Sequence, residues 1–210
     1  MFTLHQLEEK LNKPLKGMAS QLLMAPKHRL AEMEDAKNKI KHARYSGVMI
    51  LFFVNDNEEL CIVFIRRSDY VGIHAGQMGL PGGRYEEKDE NTLQTALRET
   101  FEDIGIEPEK IKVIGRLTGL YIPPSNFHVD PYIGFLAEKP DYKIDTREVK
   151  NVVELKVSDF FSANAIQWKD FKTHGSEKLT SAPFYKIGET EIWGATAMII
   201  SELLDMLKQP

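Results

Sequence analysis

Two apolar runs dominate the first half of this chain: SGVMILFFV at residues 46–54 and ELCIVFIRR at 59–67. Asn55-Asp56-Asn57-Glu58 lies between them, and strand-forming segments separated by turn formers predict a hairpin. The first run is apolar at consecutive positions, as a strand covered on both faces requires. Ahead of it, Phe2, Leu4, Leu7 and Leu11 recur at helical spacing until Pro14. The stretch EMEDAKNKIKHARY is charged throughout. Residues 1–44 therefore read as a helical arm, packed on the domain or on a partner chain, and residues 45–210 as the domain itself.

A long loop from Ser68 to Gly79 precedes Pro81-Gly82-Gly83. A helix is predicted from Asn91 to Ile104, with Asp89 or Asn91 near its cap and Gly105 ending it. KIKVIGRLTGLYI reads as strand, broken by Pro123-Pro124, and HVDPYIGFLAE as another. VVELKVSDFF is a further strand leading toward a helix, PFYKIGETEIWG a short hairpin, and ATAMIISELLDMLK a closing amphipathic helix. Strands with helices between and after them imply an α/β sandwich around one mixed sheet.

Composition narrows the function classes. The formal charge is −4 over 210 residues, which argues against a nucleic-acid groove, since that needs a basic stripe. The single cysteine, Cys61, excludes an intrachain disulfide and a thiolate zinc cluster, and is read as a small buried hydrophobe. The longest fully apolar run, Val48 to Val54, is far short of the roughly 20 residues that span a bilayer. Without a secretion signal at the N-terminus, a cytoplasmic location is expected.

One stretch, GLPGGRYEEKDENTLQTALRETFEDIGI (79–106), is dense in acids. On a helix, Glu99, Glu102 and Asp103 share one face, while Leu93, Ala96, Leu97, Thr100 and Ile104 form another. Two carboxylates about 5 Å apart repel by roughly 3 kcal/mol at an effective dielectric of 20 and by under about 1 kcal/mol in water. Exposed acids tolerate this; acids in a cleft need a cation, and all-oxygen donors favour Mg²⁺ or Mn²⁺. The glycine turn before the helix offers carbonyls to a metal or amides to a phosphate.

This stretch resembles the box of the Nudix hydrolases, G-x5-E-x7-R-E-U-x-E-E-x-G-U. Glu90, Arg98, Glu99, Glu102, Asp103, Gly105 and Ile106 match in order. Gly83 lies one residue too far from Glu90, Thr100 replaces an apolar residue and Asp103 a glutamate. The extra residue is similar to the coenzyme A pyrophosphatase branch, whose upstream motif resembles L-L-T-x-R-[SA]-x3-R-x3-G-x3-F-P-G-G. Here Arg67, Ser68, Gly76, Pro81, Gly82 and Gly83 follow it. Ile65, Gly72 and Leu80 depart from its Thr, second Arg and Phe.

The resemblance implies an α/β/α sandwich and a metal-dependent pyrophosphohydrolase that uses Mg²⁺ or Mn²⁺. Coenzyme A or an acyl derivative would be cut to 3′,5′-ADP and 4′-phosphopantetheine. By that pattern Glu99, Glu102 and Asp103 are ligands with the Gly83 carbonyl. Glu99 also serves as a base, and Arg98, counted with Glu99 and Glu102 in the catalytic set, orients the loop by pairing with a box acid such as Glu90. Gly82, Glu90 and Gly105 form the rest of the box, and Glu148 or Glu154 is the candidate to complete the site. Arg66, Arg67, Tyr121, Ser125, Asn126 and Phe127 are the candidate substrate contacts. His74 and His128 read as loop residues, and Trp168 and Trp193 as packing. Two alternatives accompany this reading. One is cleavage of another nucleoside diphosphate derivative, such as ADP-ribose, NADH or a nucleoside triphosphate; the other is a non-catalytic nucleotide-binding module. A homodimer through the arm is the expected partnership, with no nucleic acid or membrane.

Overall fold

The computed structural model describes residues 4–27, 29, 40–68, 76–172 and 179–209. His74 and Gly72 fall outside them. The predicted hairpin is present: β1 (Arg44–Val54) and β2 (Leu60–Arg67) pair antiparallel, Val54 opposite Leu60. Alternation along β1 sends Met49, Leu51 and Phe53 into one core and Ile50 and Phe52 into another, so both faces are covered.

The other strands of the main sheet are β3 (Met78–Gly79), β4 (Gly82–Arg84), β5 (Ile111–Arg116), β6 (Leu120–Ile122), β7 (Phe127–Leu136) and β8 (Val149–Lys156). Their spine runs β3-β2-β1-β7-β5, with β4 on β1, β6 on β7 and β8 on β2. β1 and β7 are parallel and the remaining pairs antiparallel, which makes the sheet mixed. The segment read as one strand over 110–122 is two, because the chain leaves the sheet between Arg116 and Leu120. A second, three-stranded sheet holds β9 (Ile166–Lys172), β10 (Leu179–Ile187) and β11 (Thr190–Trp193). Sequence pattern pointed to the β10–β11 hairpin but not to β9, whose alternating Ile166 and Trp168 remain exposed.

Helix α3 (Thr92–Ile104) covers one face of the main sheet, and α4 (Gly194–Lys208) the other. The closing helix is buried well beyond a single stripe, with Ser201 and Glu202 among its buried residues. The cause is the N-terminal segment, where α1 (Leu4–Leu11) and α2 (Met18–Gln21) pack against α4 and the sheet of their own chain. Leu7 is fully buried in the same core as Ile199 and Leu203. Glu202 accepts hydrogen bonds from Gln21 Nε2 (2.9 Å) and Thr118 Oγ1 (2.6 Å), so its buried charge is solvated by protein donors. Leu7→Ala is expected to cost about 2–5 kcal/mol, read as a shift in the urea midpoint. A loss under about 0.5 kcal/mol would mean the arm is peripheral to the fold.

Candidate active site

Helix α3 starts where the sequence places its cap. Asn91 Oδ1 accepts from the amides of Leu93 (3.0 Å) and Gln94 (3.1 Å), and Gly105 ends the helix at φ 74°. Thr100, polar where the pattern wants an apolar residue, is buried and donates its hydroxyl to the Ala96 carbonyl at 2.7 Å. The buried hydroxyl is thereby left satisfied.

The glycine turn fits against this helix by close approach. Gly82 has φ 145°, and a Cβ there would lie 2.4 Å from the Gly47 carbonyl oxygen. A Cβ on Gly83 would lie 2.3 Å from the carboxylate carbon of Glu99. A side chain at Gly82 is therefore excluded by backbone, and one at Gly83 would displace the Glu99 carboxylate.

The three acids of the shared face meet different surroundings. Asp103 is 4% exposed and accepts from the Gly82 amide at 3.1 Å. Burial pushes its carboxyl up to about 7, against the opposing pull of that amide and of Arg67. Burial also raises Glu99, with Arg98 pulling the other way. Glu102 is half exposed and held by Arg98 Nη1 at 2.9 Å.

Arg98 is the hub, and its main partner corrects the sequence reading. Its Nε and Nη2 donate to Asp89 at 2.9 Å each, its Nη1 reaches Glu99 at 2.8 Å, and its Nη2 also donates to the Arg84 carbonyl. Asp89 is buried and further held by Thr95 Oγ1 and the Glu86 amide. The paired guanidinium keeps its carboxyl well below the usual carboxylate range. Glu90, assigned to this pairing from its spacing to Arg98, is exposed. It stands just before the Asn91 cap, whereas Asp89 faces back over the first turns of α3. A signal existed: counted from Gly83, Asp89 restores the G-x5-acid spacing, and the extra residue moves to the far side of that acid.

The charge of Glu148 adds to the rise of both Glu99 and Asp103, as the last of several influences on each. Glu154 is instead bound by the Tyr142 hydroxyl at 2.9 Å and acts on Cys61. Of these two candidates it is Glu148 whose charge Glu99 and Asp103 feel. Among the described residues no three His, Cys, Asp or Glu groups form a finished metal cluster. Arg98 holds Glu99 and Glu102 in their present positions. The donors nevertheless suit a hard divalent cation, because buried Asp103 and partly buried Glu99 are both raised by desolvation and, with the Glu102 charge on the same face, gain most from one.

Arg66 and Arg67 part company at a register shift between them. Arg67 Nη2 approaches the Gly82 carbonyl at 3.4 Å and lines a cavity of about 360 Å³. Arg66 lines a neighbouring one of about 280 Å³. Ser125 lines the larger cavity with Ile122 and Pro124, but Tyr121, Asn126 and Phe127 are engaged elsewhere. Tyr121 donates its hydroxyl to Asn126 Oδ1, Asn126 donates Nδ2 to the His42 carbonyl, and Phe127 lies under the Arg44 guanidinium at 4.2 Å. These three hold a left-handed turn at Asn126 (φ 53°) in place. His128 sits 3.5 Å from Asp130. Trp193 stacks on Phe171 at 4.2 Å and borders both cavities.

The NUDIX domain family model matches residues 43–181. The uncharacterized Nudix hydrolase NudL of Photorhabdus laumondii is 31% identical over 165 residues, 79% of this chain and 86% of that protein. Its counterpart in Yersinia enterocolitica is 30% identical over 145 residues, 69% of this chain and 73% of that protein. A MutT/nudix family protein from Enterococcus faecalis shares the fold, with a TM-score of 0.53 at 17% identity over 96% of this chain and 73% of that one. The chain belongs to the Nudix hydrolases, enzymes that act on phosphorus-containing anhydrides. Its main sheet and flanking helices are the mixed α/β architecture of that family. Among the described residues no helix is long and apolar enough to cross a membrane.

Proposed function

We propose that this enzyme cleaves the diphosphate of coenzyme A or its acyl derivatives, giving 3′,5′-ADP and 4′-phosphopantetheine. The observation that carries the reading is the position of Arg67. It faces Asp103 and the Gly82 carbonyl at one end and lines a largely apolar cavity at the other. A diphosphate joined to a bulky, partly apolar group suits such a two-part site, and the upstream motif containing Arg67 points the same way.

Glu99, Glu102, Asp103 and the Gly83 carbonyl are the proposed holders of Mg²⁺ or Mn²⁺, with Glu148 the added carboxylate. When bound, the cation offsets diphosphate charge and acidifies water. Glu99, raised by burial, is suited to accept the proton of the attacking water. Arg98 is a positioning residue: anchored on Asp89, it sets the carboxylates of Glu99 and Glu102. Gly82, through its amide, fixes Asp103. Arg67 meets the negative charge of the diphosphate.

The test is product identification by mass spectrometry from coenzyme A incubated with protein and Mn²⁺, with EDTA, and with Glu102→Gln. Both products are expected with metal alone, and the variant should be slower by about 100-fold or more. Intact coenzyme A beside cleaved ADP-ribose or NADH would transfer the enzyme to another diphosphate substrate.

A further inference from the structure

The larger cavity is completed by segments outside the family-model match of residues 43–181. Pro26 and Arg29 enter from the N-terminal side; Trp193, Ala195, Thr196 and Ile199 enter from β11 and α4. Between them lie Val48, Leu80, Ile122 and Val129 of the main sheet and its loops. The part of the chain that the family model matches is therefore roofed by segments flanking it, which is where substrate selection beyond the diphosphate would be built.

Two features give the cavity a sign. Arg29 is only 7% exposed, and Arg67 lines the same space. Among the described residues no carboxylate lines it. Helix α4 also begins at its wall: Gly194, Ala195 and Thr196 line it, and Trp193 at the cap offers no side-chain bond to their amides. Two guanidiniums and the positive end of a 15-residue helix thus face a space walled mostly by hydrocarbon. Against apolar walls, each charge acts at a lower effective dielectric than on an open polar surface.

We propose that this cavity seats a second anionic group of the substrate, separate from the diphosphate, with Arg29 as its specificity residue. On the coenzyme A reading, on which this rests, that group is the nucleotide's 3′-phosphate, with the nucleoside against the apolar wall that includes Trp193. Arg67 lies between the two anions and serves both. The chemistry recognised is a phosphomonoester on a partly apolar body, and its reader lies in the arm rather than in the family box.

The experiment compares ligands that differ only in that phosphate. Calorimetry should find that the wild-type protein binds 3′,5′-ADP at least 10-fold more tightly than 5′-AMP. In turnover, Arg29→Gln should raise KM for coenzyme A by about 10- to 100-fold, the value of one charge-assisted contact. It should leave kcat, and KM for 3′-dephospho-coenzyme A, within about twofold, with Arg29→Lys recovering part of the loss. Equal binding of 3′,5′-ADP and 5′-AMP by the wild type overturns the proposal, as does an equal effect of Arg29→Gln on both coenzymes. If neither coenzyme is cleaved while 3′,5′-ADP still outbinds 5′-AMP, the anion site stands and the substrate reading falls. The wild-type comparison decides the matter should Arg29→Gln fail to fold by circular dichroism.

Discussion

Asp103→Asn should make the metal-free protein more stable at pH 8 while removing most of its activity. The carboxyl is 4% exposed and pushed up to about 7 by burial. Its folded value lies above that of the unfolded chain, so the unfolded chain loses its proton first as pH rises. Stability is therefore greatest below about pH 4, falls through about pH 7 and stays low above. A shift of roughly three units sets a ceiling of about 4 kcal/mol, and some relaxation will reduce it. Asparagine is neutral throughout and still accepts from the Gly82 amide. Urea midpoints in EDTA should be nearly equal at pH 4 and favour the variant by about 3 kcal/mol at pH 8. A variant less stable than the wild type at pH 8 would show that the carboxylate is solvated better than its burial implies. Activity with Mn²⁺ should fall by about 100-fold or more, because a neutral amide is a poor ligand for a hard cation.

Asp89→Ala should be the costliest single change in the acidic stretch. It removes both hydrogen bonds that anchor the Arg98 guanidinium, and the acceptor of Thr95 as well. Breaking a buried pair by deleting one partner costs about 3–5 kcal/mol; the retained Glu99 and Glu102 contacts place this case near about 3 kcal/mol. The carboxyl is held below its usual range in the fold, so this stability is present above about pH 4 and fades as pH falls further. Turnover should also drop, since Arg98 no longer fixes Glu99 and Glu102. Glu90→Ala, one residue away and exposed, should stay within about 0.5 kcal/mol of the wild type. A reversed order of these two variants in guanidinium unfolding would return the pairing role to Glu90.

The contrast between Asp89 and Glu90 shows where pattern reading stops. Apolar spacing located β1, β2, α3 and α4, because burial imposes a period that residue order displays directly. Caps at Asn91 and Gly105 were legible for the same local reason. Acid spacing along α3 put Glu99, Glu102 and Asp103 on one face but could not rank their burial, which depends on the glycine turn folding against that face. Adjacent acids before a cap look alike until the backbone decides which turns inward. Tyr121, Asn126 and Phe127 sat in a loop that reads as a pocket wall, yet their side chains hold the loop itself. Arg29 carried no local signal, because its cavity needs segments about 165 residues apart in sequence, from Arg29 to Trp193 and beyond.

That separation bears on the order in which the molecule forms. Residues 4–21 find their partners in 194–209: Ser20 and Lys16 bond Asp205, Gln21 bonds Glu202, and Lys10 reaches the Gln209 carbonyl. Contacts with sequence separations of 181–199 carry the largest loop-closure entropy in the chain and are expected to close late. The β1–β2 hairpin and α3, built from near neighbours, have no such delay. A molecule emerging from the ribosome would thus assemble its acidic helix first and keep Leu7 and Met24 uncovered until its final helix arrives. During that interval it would present an apolar sheet face to chaperones and to other nascent chains.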